Sequence, residues 1–145
     1  MDIQFEEYLI DLGMKGSLTK KVEEILQFFE ENFSEKAIDI FVEEYIKEDG
    51  SREYESLQFY SEKLLFEARN FRLNDDFAVF SLINDITFIR MNKENYDFKN
   101  ANEDSRFTLS FGTGKKVFAD LKSSKKNCDQ LKKILFKYIR PNLIK

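Results

Sequence analysis

The chain has 145 residues, of which 42% are apolar and 15% aromatic, and its formal net charge at pH 7 is −4. This length fits one folded domain, and the apolar content excludes a disordered chain. There is no histidine and only one cysteine, so histidine-dependent catalysis and an internal disulfide are excluded. The first residues lack the pattern of a secretory signal, and we expect a cytoplasmic protein without a cofactor.

The charges are divided unequally along the chain. Residues 1–60 carry a net charge of −10, residues 61–104 a net charge of −3, and residues 105–145 a net charge of +9. Opposed blocks of this kind indicate either that the two ends attract each other in the fold or that one end meets a charged partner.

Two helical segments are predicted at the N-terminal end. Residues 5–12 place apolar side chains at helical spacing, and Gly13 follows where a helix would end. Residues 18–33 follow the i, i+3, i+4, i+7 pattern, with Lys and Glu on the opposite face. We therefore predict a helix at 18–33, within a helical N-terminal extension that covers residues 1–36.

After this extension the apolar period changes from helical to alternating, which indicates strands. The alternating runs 37–47 and 52–60 flank Asp49 and Gly50, and an Asp-Gly pair at this place predicts a hairpin. Residues 53–71 also fit one helical stripe, so a helix is an alternative there. We favour strands, because the Asp-Gly turn precedes the segment and Tyr and Phe are frequent in it.

Further strands are predicted in the second half of the chain, where apolar or alternating runs are separated by turn-forming residues. These runs are 77–83, which we expect to be a buried strand, 86–92, 106–111 and 116–121. Turns are predicted at 74–76 and 84–85, and the polar segment 93–105 is predicted to be a mobile loop. Residues 37–145 thus form a β-rich body of up to seven strands, which completes a single domain.

The last predicted element is an amphipathic helix at 124–139. Its apolar stripe contains Cys128, and its opposite face is rich in lysine. Pro141 is expected to end this helix. We expect the apolar stripe to pack on the strand-built body, with the lysines facing outward.

The order of these elements has a counterpart among known folds. The strand and turn in 82–90, the hairpin in 106–121 and the closing helix at 124–139 resemble a bacterial pleckstrin-homology-like domain. The resemblance covers residues 77–140, and the helix at 18–33 departs from the pattern. It implies an α+β fold with a curved antiparallel sheet or barrel of up to seven strands, capped by the C-terminal helix. It also implies a binding scaffold rather than an enzyme.

No pattern of residues indicates catalysis or a metal site. Cys128 lies on an apolar stripe, where a structural role is favoured over that of a nucleophile. The segment from Gly112 to Lys115 lacks the spacing of a phosphate-binding loop, so a hairpin turn is favoured there. The basic block still offers a set of candidate anion contacts, namely Lys115, Lys116, Lys125, Lys126, Lys132 and Lys133.

Three functions remain open from the sequence, and an enzyme is the least favoured of them. We favour a non-catalytic module that binds another protein through its acidic N-terminal region, an exposed sheet edge or the loop 93–105. A stoichiometric inhibitor, an immunity-type protein or a regulator, from a microbe or a virus, would have this character. The alternative is an anion-binding module whose basic helix contacts nucleic acid or an anionic membrane. The acidic pI of about 5.1 disfavours a dedicated nucleic-acid binder, and a homo-oligomer is also open.

Overall fold

The computed structural model describes residues 1–46, 49, 51–94, 106–113, 116–123 and 125–144, and it describes only the backbone of residues 45, 46, 113, 116–123, 125 and 144. In this part of the chain, two N-terminal helices precede seven strands and a C-terminal helical segment. The broad prediction of an α+β fold is confirmed. The described strands form two separate antiparallel sheets instead of one curved sheet or a closed barrel.

Two helices make up the N-terminal region, α1 (Ile3–Asp11) and α2 (Ser17–Phe33). Helix α1 begins after Asp2, whose carboxylate accepts a hydrogen bond from the N–H of Gln4 at 2.7 Å. It ends before Gly13, which adopts a φ of 81° that favours glycine. Helix α2 confirms the predicted helix at 18–33, and the apolar residues of its stripe are buried as far as Phe29.

Seven strands follow in two sheets. Sheet A contains β1 (Asp39–Ile46), β2 (Arg52–Tyr60), β3 (Leu64–Arg69) and β4 (Asp76–Ser81), hydrogen-bonded in that order. Sheet B contains β5 (Phe88–Glu94), β6 (Arg106–Thr113) and β7 (Lys116–Ser123). Every neighbouring pair is antiparallel.

These strands decide several of the sequence predictions. Strands are confirmed over the ambiguous segment 53–71, which the end of β2 and all of β3 occupy. The predicted hairpin is present as the β1–β2 pair, although Gly50 of its turn lies outside the described residues. Residues 95–105 of the predicted loop also lie outside the described residues, and the first two residues of that segment belong to β5.

Some predicted boundaries are wrong. The turn predicted at 74–76 lies earlier, because Asn70 adopts a φ of 49° and its carbonyl accepts the N–H of Leu73 at 2.8 Å. The strand predicted as buried is β4, and it is only half-buried because it lies at the edge of sheet A. Strand β5 starts two residues later than predicted, since the N–H and hydroxyl of Thr87 both donate to the Gly112 carbonyl.

Sheet A separates two hydrophobic cores. Because successive strand residues point to opposite faces, one face contacts α1 and α2, and the other faces sheet B and the C-terminal helix. The first face presents Ile40, Val42, Leu57, Phe59, Phe66 and Ala68. The second face presents Phe41, Tyr60 and Leu65, which pack with Phe107, Leu109 and Phe111 of β6.

The C-terminal segment consists of α3 (Lys125–Ile134), a π-helical turn (Leu135–Ile139) and α4 (Arg140–Ile144). Its predicted apolar stripe is confirmed, since Cys128, Leu131, Ile134, Leu135, Tyr138 and Ile139 are all buried. The prediction that Pro141 ends the helix at 139 is wrong, because the helical path continues to residue 144. In the π-turn the N–H of Arg140 donates to the Leu135 carbonyl five residues earlier, and the helical path continues through Pro141.

Candidate binding surfaces: the basic helix and the edges of sheet A

The basic face of the C-terminal helix contacts a buried carboxylate. Lys133 Nζ lies 2.8 Å from Asp39 Oδ1, and Lys137 Nζ lies 2.9 Å from Asp39 Oδ2. The Tyr138 hydroxyl donates a third hydrogen bond to the same carboxylate. Burial of Asp39 opposes its ionisation, but the bonds from Lys133, Tyr138 and Lys137 outweigh this effect and hold the pKa of Asp39 below its ordinary value.

A second contact joins the same helix to the N-terminal region. Lys126 Nζ lies 3.7 Å from the Asp11 carboxylate and donates to the Asp11 backbone carbonyl at 3.4 Å. Both side chains are largely exposed, so this pair is weaker than the cluster at Asp39. Together the two contacts show that the basic block meets the acidic block within the fold.

The six lysines predicted as anion contacts are therefore in different situations. Lys126 and Lys133 face carboxylates of the same chain, and Lys132 is half-buried on the same helix. Lys115 lies outside the described residues, as do the side chains of Lys116 and Lys125. The three described side chains share one helix, and Lys126 and Lys133 on it already contact an anionic group.

The outer edge of sheet A at β1 is closed by side chains that the sequence analysis missed. The N–H of Val42 donates to the Tyr8 hydroxyl at 2.9 Å, and that hydroxyl donates to Asn127 Oδ1 at 2.5 Å. Asn127 Nδ2 donates to the Val42 carbonyl at 2.7 Å, and Gln130 Nε2 donates to the Ile40 carbonyl at 2.6 Å. Burial raises the pKa of Tyr8 far above its ordinary value, so its hydroxyl stays protonated. Helices α1 and α3 thus satisfy the backbone groups that an edge strand leaves open.

A buried polar network lies inside sheet A. Glu67 accepts hydrogen bonds from Gln58 Nε2 at 3.1 Å and from Arg69 Nε at 2.6 Å, one on each carboxylate oxygen. The Tyr60 hydroxyl donates to Gln58 Oε1 at 2.6 Å. Because both oxygens of the buried carboxylate accept charged or amide donors, the network stabilises the pairing of β2 with β3.

The opposite edge of sheet A, at β4, is arranged differently. The N–H of Leu82 donates to the Lys63 carbonyl at 2.8 Å, whereas Ser81 exchanges hydrogen bonds with Asp85 on its other side, at 2.9 and 3.0 Å. Since alternate residues of a strand direct their backbone groups to opposite edges, Phe77 and Val79 direct theirs away from β3, as Ser81 does. Within the described part of the chain, no group bonds to the outward N–H and C=O of Phe77 and Val79.

Exposed apolar side chains lie beside this edge. Phe28 of α2, Phe77 and Val79 form a surface that we call the aromatic shelf. The ring centroids of Phe28 and Phe77 are 5.1 Å apart, and Phe77 packs in turn on the buried ring of Phe66 at 5.3 Å. Phe28 is 41% exposed and Val79 is 36% exposed. The shelf is therefore anchored in the first core and still presents apolar surface to solvent.

Acidic side chains border the shelf. Glu24 and Glu31 are exposed and lie one turn before and one turn after Phe28 on α2. At about 100° per residue, they sit roughly 40–60° from Phe28 around the helix, on the side away from the core. Directly before β4, the carboxylate of Asp75 lies 2.5 Å from Lys21 Nζ. Because Lys21 and Asp75 neutralise each other, the described charges next to Phe28 that remain are the carboxylates of Glu24 and Glu31.

Comparison with known proteins adds no relative, since no family model, curated protein or solved structure matches the chain. Among the described residues, no three cysteine or carboxylate side chains are grouped so that they could hold a metal ion. None of the described helices combines the length and apolar character that a membrane span requires.

Proposed function

We propose that this chain is a non-catalytic protein-binding module. The observation that carries the proposal is the contrast between the two edges of sheet A. Strand β1 is closed by side chains of α1 and α3, whereas no group among the described residues bonds to the outward backbone of Phe77 and Val79 in β4, beside the aromatic shelf. Proteins normally protect open edge strands, and grouped exposed apolar residues are common at binding sites. An open edge next to such residues therefore favours a protein partner.

We also infer that the β-rich body has a pleckstrin-homology-like arrangement. In support, a four-stranded and a three-stranded antiparallel sheet are followed by one C-terminal helix whose apolar stripe packs with both of them. Helices α1 and α2 are additions that cover the other face of sheet A. This likeness in architecture favours a binding scaffold by analogy.

Within this proposal the protein acts in the cytoplasm as a stoichiometric inhibitor, an immunity-type protein or a regulator. Anion binding by the basic helix is the alternative. An anion at that helix would compete with the buried carboxylate of Asp39 for Lys133 and with Asp11 for Lys126. This competition favours protein binding over phosphate binding.

Affinity capture from a lysate of the native cells, with matched variants, tests the proposal. Phe28→Ser removes part of the aromatic shelf, and Ile10→Ser is its control because Ile10 is an exposed apolar residue on α1. We expect wild type and Ile10→Ser to retain the same protein in a one-to-one ratio and Phe28→Ser to retain much less. The proposal fails if no protein is retained beyond an unrelated bait. Binding to anionic vesicles or nucleic acid that Lys126→Glu abolishes would support the alternative.

A further inference from the structure

We infer that β4 accepts an extended segment of a partner protein as an added strand of sheet A, and that this segment carries lysine or arginine beside alternating apolar residues. This inference rests on the proposed function, because it specifies the conformation and chemistry of the protein partner. Strand addition of this kind takes affinity from main-chain hydrogen bonds and specificity from alternate side chains.

The backbone of β4 is suited to a short added strand. Phe77 and Val79 each direct one N–H and one C=O outward, and residues two apart in a strand are separated by about 6.6–6.8 Å. That spacing matches the repeat of any facing strand, so four main-chain hydrogen bonds can form. At the next outward residue, Asp85 already satisfies both backbone groups of Ser81. The open edge therefore ends there, which limits the register of a bound segment.

The side chains of the same two residues define what the segment must present. Phe77 and Val79 point to the face of sheet A that α2 covers, because they pair with Ala68 and Phe66 of the first core. A strand added about 4.8 Å from β4 would project every second side chain over the aromatic shelf. Burying Phe28 and Val79 in this way favours apolar residues at alternate positions of the segment.

The charges around the aromatic shelf indicate which charged residues the bound segment carries at its ends. Glu24 and Glu31 lie on either side of Phe28, and among the described residues neither forms an ion pair. Carboxylates at the border of an apolar strip attract lysine and arginine, and such complementarity supplies specificity. The same carboxylates repel an anionic membrane or nucleic acid. A second copy of this chain would bring an equally acidic shelf, so a basic segment of another protein fits better.

Two variants separate the parts of this inference. Val79→Pro removes an outward N–H together with one side chain of the aromatic shelf, and Val79→Ala is its control because it loses the same side chain and keeps the N–H. The backbone of Val79 does not bond to β3, and proline is tolerated on edge strands. The double substitution Glu24→Lys with Glu31→Lys reverses the charge beside Phe28 on an exposed helix face. It leaves the backbone of β4 and the aromatic shelf intact.

The probe is a phage-displayed library of random twelve-residue peptides, selected on the full chain. We expect enriched peptides to alternate apolar residues and to carry lysine or arginine at their ends. They should bind Val79→Pro about tenfold more weakly, as the loss of one edge hydrogen bond and a poorer fit would cause. Selection on the charge-reversed variant should enrich aspartate and glutamate at the same positions. In wild type, a bound peptide should slow hydrogen exchange at the amides of Phe77 and Val79.

Several outcomes would overturn strand addition. Peptides that bind wild type and Val79→Pro equally, or that leave the two amides exchanging freely, would do so. If the native partner is retained equally by Val79→Pro, protein binding stands and strand addition fails. Failure to enrich any peptide also refutes the inference, while the capture experiment judges the proposed function separately. A dimer of this chain that Val79→Pro dissociates would show that a second copy is the occupant. If Val79→Pro does not fold, the charge-reversed variant decides. Selection on it that still enriches lysine and arginine at the peptide ends overturns the inference.

Discussion

The carboxylate of Asp39 allows a quantitative test of whether the basic helix serves the fold. Asp39→Asn keeps the size of the side chain and removes its charge, so Lys133 and Lys137 lose their anionic partner. Those lysines are about half exposed, and each ion pair is therefore worth about 0.2–1 kcal/mol. The hydrogen bond from Tyr138 to a buried charge contributes about 1.5–3 kcal/mol, part of which asparagine retains. We expect the free energy of unfolding to fall by about 2–3 kcal/mol.

Urea and thermal unfolding at neutral pH would measure this change. For a chain of this size, a loss of about 2–3 kcal/mol lowers Tm by roughly 5–10 °C, and the dependence on urea concentration should keep its slope. Asp11→Asn is the matched control, because it removes an exposed carboxylate 3.7 Å from Lys126. Its effect should stay below about 0.5 kcal/mol.

The pH dependence provides a second measurement. Because the folded-state pKa of Asp39 is lowered, its contribution is present above the ordinary aspartate pKa of about 3.9 and is lost as the pH falls through the lowered value. The gap between wild type and Asp39→Asn should therefore be constant between about pH 7 and pH 5 and should shrink below about pH 4. Equal stability of the two proteins at pH 7, or a gap that widens in acid, would refute this account of the basic helix.

Four further predictions concern the cores and their polar contacts. Leu135→Ala in the buried stripe should cost about 2–5 kcal/mol by thermal melting, whereas Leu143→Ala, at a partly exposed site, should cost well under half of that. Asn127→Ala should cost about 1–3 kcal/mol in urea unfolding, because it leaves the Val42 carbonyl buried without its donor. Burial raises the pKa of Cys128 to about 11, so iodoacetamide at pH 8 should label the thiol only in unfolding concentrations of urea; rapid labelling of the native protein would contradict its burial. Burial also raises the pKa of Glu44, although Arg52 lies 3.6 Å away. The stability of wild type should therefore fall as the pH rises through that raised pKa. The difference in Tm between Glu44→Gln and wild type should accordingly favour Glu44→Gln more at pH 7 than at pH 4.

The periodicity of apolar residues was sufficient to predict those helices and strands that bury a single face. Helix α2 and the β1–β2 hairpin follow directly from the 3.6-residue and two-residue periods. The Asp-Gly pair, together with the frequent Tyr and Phe, correctly favoured strands over a helix in the ambiguous segment 53–71. The end of the C-terminal helix was not predictable in the same way. A π-turn precedes Pro141, and its residues Leu135, Tyr138 and Ile139 are buried in the second core, which local periodicity does not predict.

The candidate surface depends on contacts between distant parts of the chain, which periodicity does not reveal. Tyr8 and Asn127 are 119 residues apart, and their meeting at β1 follows only from the packing of α1 and α3. The sequence nevertheless holds two indications that could have been used. Asn127 and Gln130 are polar residues spaced by three beside the buried Cys128, and Phe28 is an aromatic residue off the stripe of α2. A polar pair next to a buried stripe predicts a buried acceptor, and an aromatic residue off the stripe predicts an apolar surface.

The distribution of charge connects the basic helix with the open edge of sheet A. The C-terminal lysines meet carboxylates of the N-terminal block at Asp39 and Asp11, so part of the positive charge is neutralised inside the fold. Among the residues that the structure describes, the acidic residues of α2 take no part in these contacts, and Glu24 and Glu31 remain beside the aromatic shelf. A loss of stability in Asp39→Asn would show that Lys133 and Lys137 serve the fold. The charge that β4 and the aromatic shelf then offer to a partner is the negative charge of Glu24 and Glu31. A basic extended segment would then complement the surface in charge, in apolar contact and in backbone hydrogen bonding at once.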